Sequence, residues 1–186
     1  MTALVGPNAI LQLRAPLDAR GGEALIADML RAAGLADWPD ATGMIEERVA
    51  ARAHAALPDL VPDPRAVARE AGAATAHYIL AHRIPARAQW LLRHLPAPMA
   101  IPLLTRAIAA HAWTFSGSGA FTISRRRPLT LEIAQNPLAG PLGCDWHVAV
   151  FETLYQSLAD PRLRVTERAC CAMGAEACRF EVTRPA

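Results

Sequence analysis

LTLEIAQNPLAGPLGCDWHVAVFETLYQSLADPRLRVTERACCAMGAEACRFEV, residues 129–182, is the stretch whose reading decides the fold. LTLEI (129–133) alternates apolar and polar residues with β-branched enrichment, and so does FTIS (121–124) just before it, across a turn containing Pro128. The pair predicts a β-hairpin. A Gly/Pro-rich loop, NPLAGPLG (136–143), leads into a segment where His147, Val150, Phe151, Leu154 and Leu158 recur at three and four. That spacing predicts a helix from Asp145 to Ala159. Two further strands follow, LRVTERAC (163–170) and CRFEV (178–182), joined by a loop containing Gly174. The order β-β-α-β-β points to an antiparallel four-stranded sheet.

Outward from this stretch, toward the N-terminus, every periodic segment reads as helix. In EALIADMLRAAG (23–34), Leu25, Ile26, Met29 and Leu30 share a face and Gly34 stands at the C-cap position. A second helix is expected from Thr42 to Leu57, stopped by Pro58. Asp63-Pro64 pairs an N-cap residue with proline at the first helical position, opening an Ala-rich helix toward Arg83 whose small side chains allow close packing. Pro85 opens a short helix, and after Pro96 and Pro98 another covers 99–115. The fold class expected is α+β, N-terminal helices packed on the sheet, in a single domain spanning 1–186. The composition shift near 116–120 is a change of layer.

Composition bounds the chemistry. With 186 residues, 53% hydrophobic and 19% charged, the chain can bury a sizeable core and is not disordered. All nineteen basic residues are Arg, which removes the P-loop lysine, the Schiff-base lysine and the lysine general base. A net charge of +2 does not point to nucleic acid; the one dense basic cluster is Arg125, Arg126 and Arg127. The N-terminus lacks the pattern of a signal peptide and no run reaches the roughly 20 apolar residues of a membrane span, so a cytoplasmic protein is expected.

The four cysteines, Cys144, Cys170, Cys171 and Cys178, all fall in the last quarter of the chain. Clustering of this kind in a reducing compartment suggests a metal, and zinc takes thiolates with His or carboxylate completing a tetrahedron. Cys144 stands at a helix start, Cys170 at a strand end and Cys178 at the start of the next strand, with Glu167, His147 or Glu176 as fourth ligand. Glu167 and Cys170 are three apart on one strand, so they face one point only if the strand ends or bends between them. Buried free cysteines are the alternative reading.

GCDWHVAVFE, VTERACCAMGAEACRFEV and the preceding LTLEIAQNP resemble the signature of the 4-vinyl reductase domain family, most closely over 118–183. Members include the BchJ-type proteins of bacteriochlorophyll biosynthesis, which this stand-alone chain resembles over its whole length, and the aromatic-sensing part of phenol- and xylene-responsive regulators. The resemblance implies a structural zinc on Cys144, Glu167, Cys170 and Cys178, with Cys171 outside the set. It implies a fold like the ligand-binding module of nitric-oxide-signalling and Golgi-transport proteins, enclosing an apolar cavity. It also implies a magnesium tetrapyrrole intermediate as ligand or substrate, enzymes of bacteriochlorophyll synthesis as partners, and a working place at the periphery of the photosynthetic membrane.

A pocket for such a ring needs broad apolar walls and a few polar groups. Tyr78, Trp90, Leu104, Ile108, Trp113 and Phe115 supply walls, although a helical apolar stripe reads equally as plain core. His111, flanked by alanines and Trp113, ranks first among the histidines as axial ligand or proton donor. Arg106, with Arg87, Arg93 and Arg125–Arg127, offers bidentate partners for a propionate. The family name implies reduction of a vinyl group, but no G-x-G-x-x-G follows a strand and the cysteines are not spaced for an iron–sulfur cluster. The residues therefore favour a pigment carrier or accessory factor over a reductase drawing on NADPH or a partner, with a small-aromatic sensor as third reading. Homodimerisation through the N-terminal helices is expected, since the chain has more apolar helix than one sheet face covers.

Overall fold

A computed structural model describes residues 2–124, 128–141 and 143–185, and the Arg125–Arg127 cluster lies outside the described residues. The N-terminal part comprises β1 (Leu4–Val5), α1 (Asn8–Leu11), α2 (Arg14–Ala33), β2 (Ile45–Glu46), α3 (Glu47–Leu60), α4 (Pro64–His82), α5 (Ala86–His94), α6 (Ala97–Ala110) and α7 (Trp113–Ser116). The C-terminal part is β3 (Ala120–Ser124), β4 (Leu129–Ala134), α8 (Asp145–Leu158), β5 (Arg164–Ala169) and β6 (Ala177–Thr183). The four long strands form one antiparallel sheet in the order β3-β4-β6-β5. The α+β architecture is the one the periodicities predict.

Departures from expectation are local. Helix α2 begins at Arg14, well before residue 23, because Gly22 at φ 59° absorbs a kink that joins two helical segments. Gly34 does terminate it, in the left-handed region at φ 74°, returning its N–H to the carbonyls of Leu30 and Arg31. Helix α3 starts at Glu47 because residues 45–46 pair with Leu4 and Val5 in a two-residue ladder. It carries Pro58 in its last turn and closes at Leu60, where the Val61 N–H still reaches the Leu57 carbonyl at 3.1 Å. A proline there removes a single donor, which a last turn tolerates. Asp63 makes no side-chain cap on α4; its carboxylate binds Arg20 instead, at 2.8 Å. The expected 99–115 helix is two helices, α6 and α7, separated at His111–Ala112.

Helix α8 is the centre of the molecule. Residues 145–151 are all buried, so the helix is covered on every side through its first two turns. One side packs on α4, whose small residues Ala68, Ala71, Gly72 and Ala76 allow the closest approach in the fold. The other side packs on the sheet through Phe151 against Phe180, ring centroids 5.4 Å apart. Helices α5 and α6 close a third side, where Tyr155 and Thr105 share a buried hydroxyl hydrogen bond of 2.6 Å. Asp145, in the first turn of α8, accepts hydrogen bonds from Arg65 Nε (2.7 Å) and Arg69 Nη1 (3.0 Å) of α4. A carboxylate suits a helix N-terminus, and here it also fixes the two helices in register.

Candidate metal centre

Three elements bring the donors together at the N-terminal end of α8. Cys144 immediately precedes that helix, Glu167 lies on β5, Cys170 just beyond the end of β5, and Cys178 on β6 opposite Ile133 of β4. The alternation problem between Glu167 and Cys170 is solved in the expected way: the β5–β6 register shifts between Glu167 and Ala169, and the strand ends there. A single 3-10 turn, Cys171–Met173, closed by Gly174 at φ 88°, then carries the chain back to β6.

One donor atom from each of Cys144, Glu167, Cys170 and Cys178 lies within 4.8 Å of the other three. The sulfurs stand 3.3 Å (Cys144–Cys178), 3.8 Å (Cys144–Cys170) and 3.9 Å (Cys170–Cys178) apart. Tetrahedral zinc with Zn–S bonds of about 2.3 Å requires S···S separations of about 3.8 Å, so the triangle is close to what that ion demands. Neither His147 nor Glu176, the other fourth-ligand candidates, belongs to this group among the described residues. Cys171 points away, its sulfur 3.7 Å from the Ile133 carbonyl oxygen and 3.8 Å from that of Glu176.

The surroundings support negative charge on the donors. The backbone N–H of Cys171 points at Cys178 Sγ (3.3 Å), the Asn136 amide donates to Cys144 Sγ (3.4 Å), and the Cys144 N–H donates to both Glu167 oxygens (3.1 Å each). Gly143 completes the cradle. At φ +106° it holds a conformation that suits glycine, and a Cβ there would come within 2.5 Å of Glu167 Oε2. Bonds with the sulfurs of Cys170 and Cys178, with burial adding, push the Cys144 thiol well above its ordinary value. Cys178 is drawn down to about 5, chiefly by its bond with Cys144. One thiolate is thus accommodated by thiol neighbours, while three thiolates and a carboxylate in one buried place call for a cation. Sequence reasoning does not single out Asn136 or Gly143 as site residues, although both lie in the segments carrying the signature.

The residues expected to line a ligand pocket are dispersed. Leu104 and Ile108 are buried core, Phe115 and Tyr78 are half-buried, and Trp90, Arg106, His111 and Trp113 are exposed. Phe115 joins an aromatic cluster with Phe121, Phe151 and His147, and Tyr78 lies against His82. His111 Nδ1 lies 2.9 Å from its own helix's Ala107 carbonyl. The surface groove at Trp90 is lined by residues of α5, and none of the other seven takes part in it. The interior histidine is His147. It is 1% exposed, ringed by Trp146, Phe115, Phe151 and Phe180, neither ring nitrogen has a hydrogen-bond partner, and burial pushes it down to about 3.

This fold and donor cluster define a domain of the 4-vinyl reductase type: the model of that domain family matches residues 132–184, the segment holding Cys144, Glu167, Cys170 and Cys178. Over almost its whole length the chain is 48% identical to the bacteriochlorophyll synthase 23 kDa chain of Cereibacter sphaeroides, covering 96% of this chain and 89% of that one. It is 40% identical to the protein of the same name from Rhodobacter capsulatus, with 95% and 85% covered. The chain belongs to the family of these bacteriochlorophyll synthase 23 kDa chains. Among solved structures, an H-NOX protein from S. oneidensis in the Fe(II)NO ligation state superposes with a TM-score of 0.62 at 10% identity, covering 98% of this chain and 100% of that one. An Fe(II) unliganded H-NOX mutant from K. algicida gives 0.62 at 7% identity, covering 98% and 97%. At such identities the likeness is one of fold, and it is the fold expected.

Proposed function

We propose that this chain is a zinc-stabilised accessory protein of bacteriochlorophyll synthesis that binds a magnesium tetrapyrrole intermediate and presents it to an enzyme of the pathway. The observation that carries the reading is the near-full-length identity to bacteriochlorophyll synthase 23 kDa chains. A zinc ion on Cys144, Glu167, Cys170 and Cys178 would have four protein ligands and no open position, which makes it structural. Its binding energy then belongs to the folding of the sheet and α8.

The pigment meets the protein through the α4–α7 layer. Tyr78, Trp90, Arg106, His111 and Trp113 stand on or near its surface, with Leu104, Ile108 and Phe115 behind them. A ring bound there lies against the outer side of α6 or opens its packing. The working place is the surface of the pigment-bearing membrane.

The test uses zinc-replete full-length protein incubated with divinyl protochlorophyllide and NADPH, followed by gel filtration and mass measurement of the pigment. The expected result is co-elution with unchanged mass. Pigment gaining a pair of hydrogens would replace the carrier by a vinyl reductase, and absence of co-elution would overturn tetrapyrrole binding.

A further inference from the structure

The chain carries 17 carboxylates, and none lies between Glu70 and Glu132. That interval contains α5, α6 and α7, and five of the seven large hydrophobic side chains exposed among the described residues: Trp90, Leu91, Met99, Leu103 and Trp113. Single exposed hydrophobics are ordinary, but this concentration on consecutive helices is not. Helices α5 and α6 pack on each other and both pack on α8, so their opposite faces turn outward together. On α6 the outward stripe runs Met99, Leu103, Arg106, Ala110, one helical face by spacing. Trp90 is 62% exposed and Trp113 is 59% exposed, as indoles rarely are without a use.

The charge on this face is also unpartnered. Elsewhere arginines find carboxylates: Arg20 pairs with Asp63 and Glu70, and Arg65 and Arg69 with Asp145. Among the described residues, Arg87 and Arg106 have no carboxylate within 4.0 Å. Both are exposed, and nothing acidic on α5, α6 or α7 repels an anionic surface from them.

We infer that the outward face of α5–α7 docks on an anionic phospholipid bilayer, with Trp90 and Trp113 seated at the headgroup boundary and Arg87 and Arg106 on lipid phosphates. Tryptophan prefers that boundary, arginine gains from a negative leaflet, and convex helix surfaces with protruding apolar side chains suit a fluid partner. No helix among the described residues is long and apolar enough to cross a membrane, so the contact is one of lying on the surface. The inference rests on the membrane-surface location given above and names the face that makes it, but it does not need the pigment.

The test is co-sedimentation of the full-length, zinc-replete protein with vesicles of phosphatidylcholine alone or mixed with phosphatidylglycerol. Binding is expected with the anionic vesicles, weakened by salt. A basic side chain at an anionic surface is worth about fivefold in binding, so Arg87→Gln with Arg106→Gln should cost about 25-fold. Trp90→Ala with Trp113→Ala should also weaken binding, and Arg31→Gln, an exposed arginine of α2 paired with Asp28, should leave it unchanged. Sedimentation velocity of the same variants keeps a second occupant in view. Vesicle binding indifferent to the Arg and Trp changes would overturn the face while leaving the location. Absence of vesicle binding would overturn both, and dimers of the parent chain that the Trp changes split, without vesicle binding, would assign the face to a second copy.

Discussion

Replacing Gly72 by Ala sets two effects of opposite sign against each other. In the middle of α4, alanine should be the better residue by about 1 kcal/mol, because glycine sacrifices more backbone entropy in a helix. The added methyl, however, would sit 2.9 Å from Ala149 Cβ and closer still to the Trp146 carbonyl oxygen of α8. A carbonyl inside a helix cannot swing aside, and α8 is pinned to α4 by Asp145 between Arg65 and Arg69. The helices must separate or strain, and overpacking of a tight core costs about 1–3 kcal/mol, more where the obstacle is backbone. The clash should win, leaving a net loss of about 2 kcal/mol. For a chain of this size that is about 4–8 °C in melting temperature. Thermal and urea unfolding followed by circular dichroism reads the difference, with Gly43→Ala as control. No atom lies within 4 Å of a Cβ at Gly43, and its substitution should change stability by less than about 0.5 kcal/mol. A Gly72→Ala protein as stable as the parent, or more so, would refute the close-approach argument for the α4–α8 seam.

Cys178→Ser should release the metal and destabilise the sheet, whereas Cys171→Ser should retain one zinc equivalent; metal analysis of the purified proteins checks both, and full zinc retention by Cys178→Ser would dismantle the four-donor assignment. Gly143→Ala should destabilise by about 2–4 kcal/mol, combining left-handed backbone strain with displacement of Glu167 from the Cys144 N–H, and zinc competition with a chelator should show weakened retention. Stability should also fall in acid through His147: the folded protein holds it neutral down to about pH 3 against an ordinary 6.5, so below 6.5 the unfolded chain takes up a proton that the folded one refuses. Burial lowers His54 in the same direction. His147→Phe should flatten the loss of unfolding free energy between about pH 6.5 and 3 relative to the parent measured alongside, and an unchanged slope would contradict the buried neutral imidazole.

The C-terminal β-β-α-β-β part was legible because its periods are unambiguous: alternation in 129–133 and 178–182 and three-four spacing from His147 to Leu158 can each be satisfied one way only. Boundaries failed where backbone chemistry is decided by partners far away. Nothing local says that Gly22 kinks instead of ending a helix, or that residues 45–46 pair with Leu4 and Val5. The donors were legible in part. Three cysteines converge as their placement suggested, and the resemblance selected Glu167 from three candidates, its convergence being made by a bulge that alternation alone could only require. The ligand side was the least legible. Helix α6 is apolar nearly all round, so spacing cannot tell Leu104 and Ile108, which are buried, from Met99 and Leu103, which are exposed. Only packing against α8 separates them.

The placement of the donor cluster matters beyond the sheet. Cys144 sits at the first turn of the one helix that touches α4, α5, α6 and the sheet, and its three companions lie on β5, beyond it, and on β6. A cation there joins the start of α8 to the strands beneath it at a single point. The Asp145 pairing with Arg65 and Arg69 joins the same turn to α4. The axial position of α8 is thus set at one end by two polar attachments, and its remaining length is apolar contact and one hydroxyl bond to Thr105. Because α5 and α6 rest on that length, the outward face they present is positioned, through α8, by the site at its N-terminus. A protein whose sheet is secured by metal and whose outer helices are held mainly by packing combines a rigid half with a half able to yield, a combination that suits taking up and releasing a large planar ligand.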